Sequence, residues 1–323
     1  MIESPHGWYQ PLGLPVYSLY SETRRPTAEM LRGLNCLVID LQDVGTRVYT
    51  FLWTVQQCLI ACAEARVRVV VLDRPNPLGG RVAEGPLLEE GYQSFVGGAS
   101  IPLRHGLTIG EVALLLNREQ QIGTELDVVS MLGWRREMLF GETGRSWVAP
   151  SPNMPGATTA LLYPGQVLLE GTNLSEGRGT TMPFEVVAAP FIDPYRLVAE
   201  LNGAELPGLA LRPIRFVPTF DKWRGQSCGG VALHVVDPAA VRSVAMTLQI
   251  VAAVNRLWPL DFAWLPPPYE YEREKMPIDI LFGSSRLRKR LSESVVSHAT
   301  IRELAALDEA AWWRRVQPIL LYE

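Results

Sequence analysis

The stretch EGTNLSEGRGT, residues 170–180, carries two carboxylates, an Asn, an Arg and three glycines around one apolar side chain, Leu174. In a chain that is 47% hydrophobic, this concentration of polar groups exceeds what a tight turn requires. Asn173, Ser175, Glu176 and Arg178 suit a ligand rich in hydroxyls and amides, and a planar guanidinium fits a carboxylate bidentately. Among them, Glu176 is the side chain suited to proton chemistry.

Further polar groups follow apolar runs. Asp40, Asp43, Arg47 and Tyr49 come at or after the run 36–41, and Asp73, Arg74 and Asn76 at or after the run 68–73. Glu84 in EGP, His105 in RHG and Asn153 in SPNMP are each flanked by Gly or Pro, which restricts the backbone and favours a preorganised site. Asp43, Glu84 and His105 join Glu176 as catalytic candidates. Asp40, Arg47, Tyr49, Arg74, Asn76, Asn153, Asn173, Ser175 and Arg178 are the substrate-binding candidates. Plainer roles stay open: Asp40 and Asp73 could cap helices or pair with Arg47 and Arg74, and His105 could be a turn histidine.

Several function classes lose support on inspection. No G-x-G-x-x-G follows the first apolar run, and neither G-x-x-x-x-G-K-[ST] nor G-x-S-x-G occurs. Cys36, Cys58, Cys62 and Cys228 lack metal-site spacing and read as small core residues, so neither metal nor cofactor is expected. The net charge is -4, and the one basic run, SRLRKR at 285–290, reads as a solvated helix face rather than a nucleic-acid footprint. No apolar run approaches the roughly 18 residues of a membrane span. The opening MIESPHGWYQPLG lacks a basic-then-apolar signal region, so the chain as written is expected to be soluble and cytoplasmic. A polar, carboxylate-bearing cleft with aromatic neighbours suits a sugar.

These residues need elements to position them. The runs 36–41 and 68–73 are continuously apolar, as parallel strands covered on both faces should be. Between them, residues 50–65 have helix length and neither Gly nor Pro, which completes a βαβ unit. Thr108 with Glu111 predicts a capping box, and 126–131 a further strand. This part reads as a doubly wound α/β sheet ending near Pro164. After the polar loop, 184–190 reads as a short helix, and Asp193-Pro194 opens another that stops at Asn202-Gly203. The runs 209–220 and 229–237 predict strands, 238–257 a long helix, 265–274 a proline-rich connector, and the remainder helices. The expected division is a lobe at 1–164 and a smaller α/β lobe at 165–323. The polar loop then joins the two lobes, where a ligand cleft usually lies.

Taken together, GLPVYSLY, DLQDVGTRVYT, LDRPNP, EGP, RHGLTIGE, PSPNMP, YPG, EGTNLSEGRGT and CGG occur in the order seen in the exo-β-N-acetylmuramidase (NamZ) family. The resemblance runs from about residue 13 to residue 322. It implies a Rossmann-like sheet, N-terminally short here, plus a smaller α/β domain with the active cleft between them. It also implies a glycoside hydrolase releasing N-acetylmuramic acid from the non-reducing end of peptidoglycan fragments, and relatives that are often exported.

One departure accompanies it. Family members carry a Pro-Glu-His-Gly motif whose Glu is a leading candidate for the general acid. Here Ser4 precedes Pro5-His6-Gly7, and Glu3 lies out of register. Two expectations therefore stand side by side: a working exo-muramidase, or a catalytically impaired protein that binds N-acetylmuramic acid or muropeptides.

Overall fold

The structure is a computed structural model that describes residues 4–204, 206–292 and 296–323. The N-terminal motif region forms an exposed hairpin of β1 (Gly7–Tyr9) and β2 (Leu14–Val16), in which Trp8 faces Pro15 in register. His6 accepts a hydrogen bond from the Ser18 N–H at Nδ1, 2.9 Å away, while Glu3 lies outside the described residues.

The expected βαβ unit is present: β3 (Cys36–Ile39), α1 (Phe51–Ala65) and β4 (Arg68–Leu72). Leu52, Val55, Leu59 and Cys62 recur at helical spacing and are fully or almost fully buried, which is why α1 lies along the sheet. The chain then makes a small antiparallel pair, β5 (Glu84–Leu87) with β6 (Pro102–Arg104). It continues through α2 (Ile109–Glu119) to β7 (Leu126–Val129). The larger sheet is parallel throughout, in the order β3-β4-β7. The capping box forms as expected: Thr108 Oγ1 accepts from the Glu111 N–H, and Glu111 Oε2 accepts from the Thr108 N–H.

Coverage of this sheet differs from expectation. Val69 and Val71 are buried in one core with α1 and α2, yet Val38 is 55% and Val129 53% exposed. Among the described residues both helices lie on one face. Continuous apolar runs show that a strand can be covered twice, not that it is. Cys36 is likewise exposed rather than part of the core.

The second half contains α3 (Ala157–Gln166), β8 (Val186–Ala189), α4 (Pro194–Leu201), β9 (Leu209–Phe216), β10 (Cys228–Val235) and α5 (Ser243–Leu257). Four short helices follow: α6 (Pro277–Phe282), α7 (Arg286–Ser292), α8 (His298–Ala305) and α9 (Glu309–Val316). The sheet is antiparallel with β10 between β8 and β9. Here the expected short helix at 184–190 is a strand, because four consecutive buried residues built on a Val pair fit a pleated, two-sided position. The long helix begins at Ser243 rather than 238.

Two cores result. The larger joins Val44, Val48 and Tyr49 to α3, α5 and α6, and the smaller surrounds the parallel sheet. The C-terminus returns to the smaller one, with Trp312, Val316 and Ile319 buried in it. The Trp312 indole donates to His105 O at 3.0 Å, and Tyr322 donates to Asp73 Oδ2 at 2.6 Å. Among the described residues, no helix is long and apolar enough to cross a membrane.

Candidate active-site cleft

The loop 170–180 folds back on itself through its charged groups. Glu176 is 2% exposed, and its Oε2 accepts from Lys222 Nζ at 2.8 Å while Oε1 lies 3.2 Å from Arg178 Nε. Lys222 also donates to Leu169 O and Leu174 O at 2.8 and 2.7 Å, so all three ammonium donors are used. Asp221 and Trp223, on either side of it, both have positive φ, so the segment that delivers this ammonium is held in an unfavourable backbone conformation. Arg178 donates from Nη2 to Glu170 Oε1 at 2.6 Å and lies 5.2 Å from the Phe184 ring centroid. Burial alone would lower the Arg178 pKa, but Glu170 and then Glu176 outweigh it and hold the guanidinium firmly charged.

Two glycines explain why the loop has this shape. Gly177 and Gly179 have φ of +89° and +79°, and a Cβ on either would come within 2.5 Å of a carbonyl oxygen, of Met182 and Phe220 respectively. The remaining polar residues brace the loop. Asn173 donates to Asp261 O and accepts from the Ala263 N–H, and Ser175 exchanges backbone hydrogen bonds with Ala188 and accepts from the Gly177 N–H.

The strand-end residues form a second group. His105 is fully buried and accepts the Leu107 N–H at Nδ1, so the neutral ring carries its proton on Nε2, 3.4 Å from Asp43 Oδ2. Asp43 Oδ2 accepts from the Gly45 N–H, whereas its buried Oδ1 and His105 Nε2 have no hydrogen-bond partner. Asn76 bridges Leu107 O and the Leu78 N–H.

Arg47 is completely buried and donates to Pro86 O, Ile101 O and Leu281 O at 2.8–3.0 Å; without a carboxylate beside it, burial lowers its pKa to about 9. It ties the first half of the chain to α6, and only a buried Nε and one Nη2 hydrogen are left without a partner among the described residues. Glu84 accepts the Ala245 N–H at 2.9 Å and caps α5, and burial raises its pKa against the opposing Ala245 N–H and Arg104. Asp40 and Arg74 pair with each other at 2.5 Å near the surface, and Asp73 accepts from Thr108 Oγ1 and the Gly110 N–H at the start of α2. For these two aspartates the plainer pairing and capping roles are what the geometry shows. Asn153 is half-buried.

Aromatic rings connect the two groups. Tyr49 contacts Tyr163 edge-on at 6.0 Å between centroids, and Tyr163 contacts Phe184 at 4.8 Å, which in turn faces Arg178. A second aromatic row, Tyr20, Phe95 and Tyr271, has centroid spacings of 6.2 and 5.8 Å, with the Arg24 guanidinium 4.3 Å from the Tyr271 centroid. Tyr269 donates to Glu170 Oε2 at 2.6 Å, which brings the proline-rich connector against the loop. Sequence reasoning passed over Glu170, Lys222, Tyr163, Tyr269 and Glu270. The one local signal was the alternation of Tyr and Glu in PPPYEYERE, read there only as a linker. A cavity of about 460 Å³ is lined by Arg256, Phe262, Trp264 and Leu291 and by none of these carboxylates.

Comparison with known proteins gives consistent matches over both halves. Residues 3–158 match the family model described as exo-β-N-acetylmuramidase NamZ, N-terminal, and residues 161–322 match its C-terminal counterpart. The peptidoglycan β-N-acetylmuramidase NamZ of Bacillus subtilis (strain 168) is 48% identical over 253 residues, which is 78% of this chain and 61% of that protein. The chain thus spans about three fifths of that relative's length. Two crystal structures of DUF1343 family proteins from Bacteroides fragilis NCTC 9343 superpose with TM-scores of 0.88 and 0.75, at 35% and 27% identity. Each comparison covers 98% of this chain and 82% of the other.

Proposed function

The chain belongs to the exo-β-N-acetylmuramidase NamZ family, and from that premise we propose that it hydrolyses the β-glycosidic bond of N-acetylmuramic acid at the non-reducing end of peptidoglycan fragments. The observation that carries this reading is the ordered match of both halves of the chain to the two family models.

The cleft chemistry supports it. Arg178 is fixed by Glu170 and Glu176 through Nη2 and Nε, which leaves Nη1 uncommitted among the described residues. A guanidinium locked in this way suits the lactyl carboxylate that distinguishes N-acetylmuramic acid from N-acetylglucosamine. The Tyr20, Phe95 and Tyr271 rings offer apolar surface for a sugar face. Asp43 and His105 stand at the strand-end rim, with Tyr49 between them and the loop. In this reading the parallel sheet is part of a Rossmann-like domain at 1–164, the domain at 165–323 is the second lobe, and the cleft lies between them.

Incubation with a chromogenic β-glycoside of N-acetylmuramic acid, alongside the matching N-acetylglucosamine glycoside, tests the reading. Release from the first and not from the second is the expected result. Saturable binding of N-acetylmuramic acid with no release would instead identify a sugar-binding protein without turnover.

A further inference from the structure

Accepting the glycosidase reading, we infer that Glu270 is the carboxylic acid that protonates the leaving oxygen. The other carboxylates of the cleft each hold a hydrogen bond or an ion pair on at least one oxygen. Glu176 is gripped by Lys222 and Arg178, and Glu170 by Arg178 and the Tyr269 hydroxyl. Asp43 accepts the Gly45 N–H beside His105, and Glu84 caps α5. Asp43 Oδ1 and Glu84 Oε2 are also buried without a partner, but the second oxygen of each is tied to a backbone N–H. Such cations and N–H donors favour the ionised form of a carboxylate.

Glu270 is placed differently. Its Oε2 is buried with no hydrogen-bond partner. The backbone there is a tight two-residue turn: Tyr269 and Glu272 exchange both N–H···O=C bonds at 2.9 Å, and the residues between them, Glu270 and Tyr271, have φ of +44° and +71°. A turn with two positive φ values favours Asn or Gly, so Glu and Tyr here carry strain that the surroundings must offset. Both neighbours are anchored: Tyr269 bonds to Glu170, and Tyr271 packs on Phe95 beneath Arg24, which also donates to its hydroxyl. The turn therefore fixes a carboxyl with one unpartnered oxygen between an aromatic row and the Glu170–Arg178 pair.

The electrostatics agree with a retained proton. Burial first and the charge of Glu170 second raise the Glu270 pKa, with the positive charge of the chain's amino terminus, then Arg178 and Arg24, opposing. Tyr163 and Tyr269, two titratable groups nearby, have pKa values raised well above the usual tyrosine value, chiefly by burial, and stay neutral.

In the reaction, the Glu270 O–H proton passes to the glycosidic oxygen as the bond from that oxygen to the anomeric carbon breaks. The shortened saccharide departs as a neutral alcohol and Glu270 is left ionised. Water then bonds to the anomeric carbon and loses one proton to solvent, and solvent returns one to Glu270, so protons balance over the cycle.

The test compares wild type with Glu270→Gln on two substrates: the disaccharide N-acetylmuramyl-β-1,4-N-acetylglucosamine, and a dinitrophenyl β-glycoside of N-acetylmuramic acid whose leaving group needs no acid. The variant is expected to lose about 10²–10⁴-fold on the disaccharide, the usual contribution of general acid catalysis. It should stay within about fivefold of wild type on the dinitrophenyl glycoside, and it should lose the alkaline limb of the pH–kcat/KM profile. Equal losses on both substrates, or none on the disaccharide, would overturn the assignment. A wild-type protein inactive on both substrates would instead overturn the glycosidase reading itself. Independently of turnover, the ¹³C shift of the Glu270 side-chain carboxyl, identified by its absence from the variant, should titrate above an ordinary glutamate. Ordinary titration would contradict the proposal.

Discussion

At the scale of single residues, the charged groups of the loop act through one another, and this changes what substitution reveals. Glu176 neutralises both Lys222 and Arg178 while almost fully buried. Breaking a buried pair from one side costs about 3–5 kcal/mol. Because the Lys222 and Arg178 side chains are 16% and 27% exposed, solvent reduces that to about 1–3 kcal/mol for Glu176→Gln. Urea denaturation should show this loss, and binding of N-acetylmuramic acid should weaken together with turnover. Lost turnover with an unchanged midpoint and unchanged binding would instead mean that Glu176 reacts directly. Glu84 offers a test in pH. Its raised pKa means that the folded chain keeps the proton to a higher pH than the unfolded chain does. Across that window the unfolded state binds fewer protons, so stability falls as pH rises through it. Glu84→Gln keeps an acceptor for the Ala245 N–H and removes the titration. Its urea midpoint should vary less with pH than wild type's as pH rises above the ordinary glutamate range. An unchanged slope would contradict the assignment.

At the scale of elements, what could be read from sequence was what depends on near neighbours. Thr108 and Glu111 are three residues apart and form their capping box, and Asp193 caps a helix that opens at Pro194. The βαβ unit was legible for the same reason, as was the polar loop's departure from ordinary turn composition. Arg47 was not, because its acceptors at Pro86, Ile101 and Leu281 lie up to 234 residues away, and nothing local distinguishes an arginine that binds carbonyls from one that awaits a carboxylate. Glu270 was hidden by the prolines before it, which made a strained and anchored turn look like a spacer. The strand at Val186–Ala189 was missed since four apolar residues fit either period, and only pairing with β10 decides between them.

At the scale of the whole molecule, the C-terminus is a structural part of the first half. Trp312 is 2% exposed, lies in the core of the parallel sheet and donates to the carbonyl of His105, one of the rim residues. Trp312→Ala should cost about 3–5 kcal/mol through the cavity it leaves. It should also lower activity without any contact to substrate, because His105 loses its backbone anchor; thermal unfolding and kcat/KM measured on the same variant would check both effects. An unchanged melting temperature would show that the C-terminal segment does not brace the sheet.

The central claim, that this cleft removes terminal N-acetylmuramic acid units, is tested most directly by product analysis on a defined tetrasaccharide of alternating N-acetylmuramic acid and N-acetylglucosamine with the muramic acid at its non-reducing end. Mass spectrometry over time should show free N-acetylmuramic acid and the complementary trisaccharide appearing together in equal amounts as the first products. The same saccharide capped at that end by N-acetylglucosamine should remain intact. Disaccharides as first products, cleavage of the capped substrate, or binding of the tetrasaccharide without any cleavage would contradict the account.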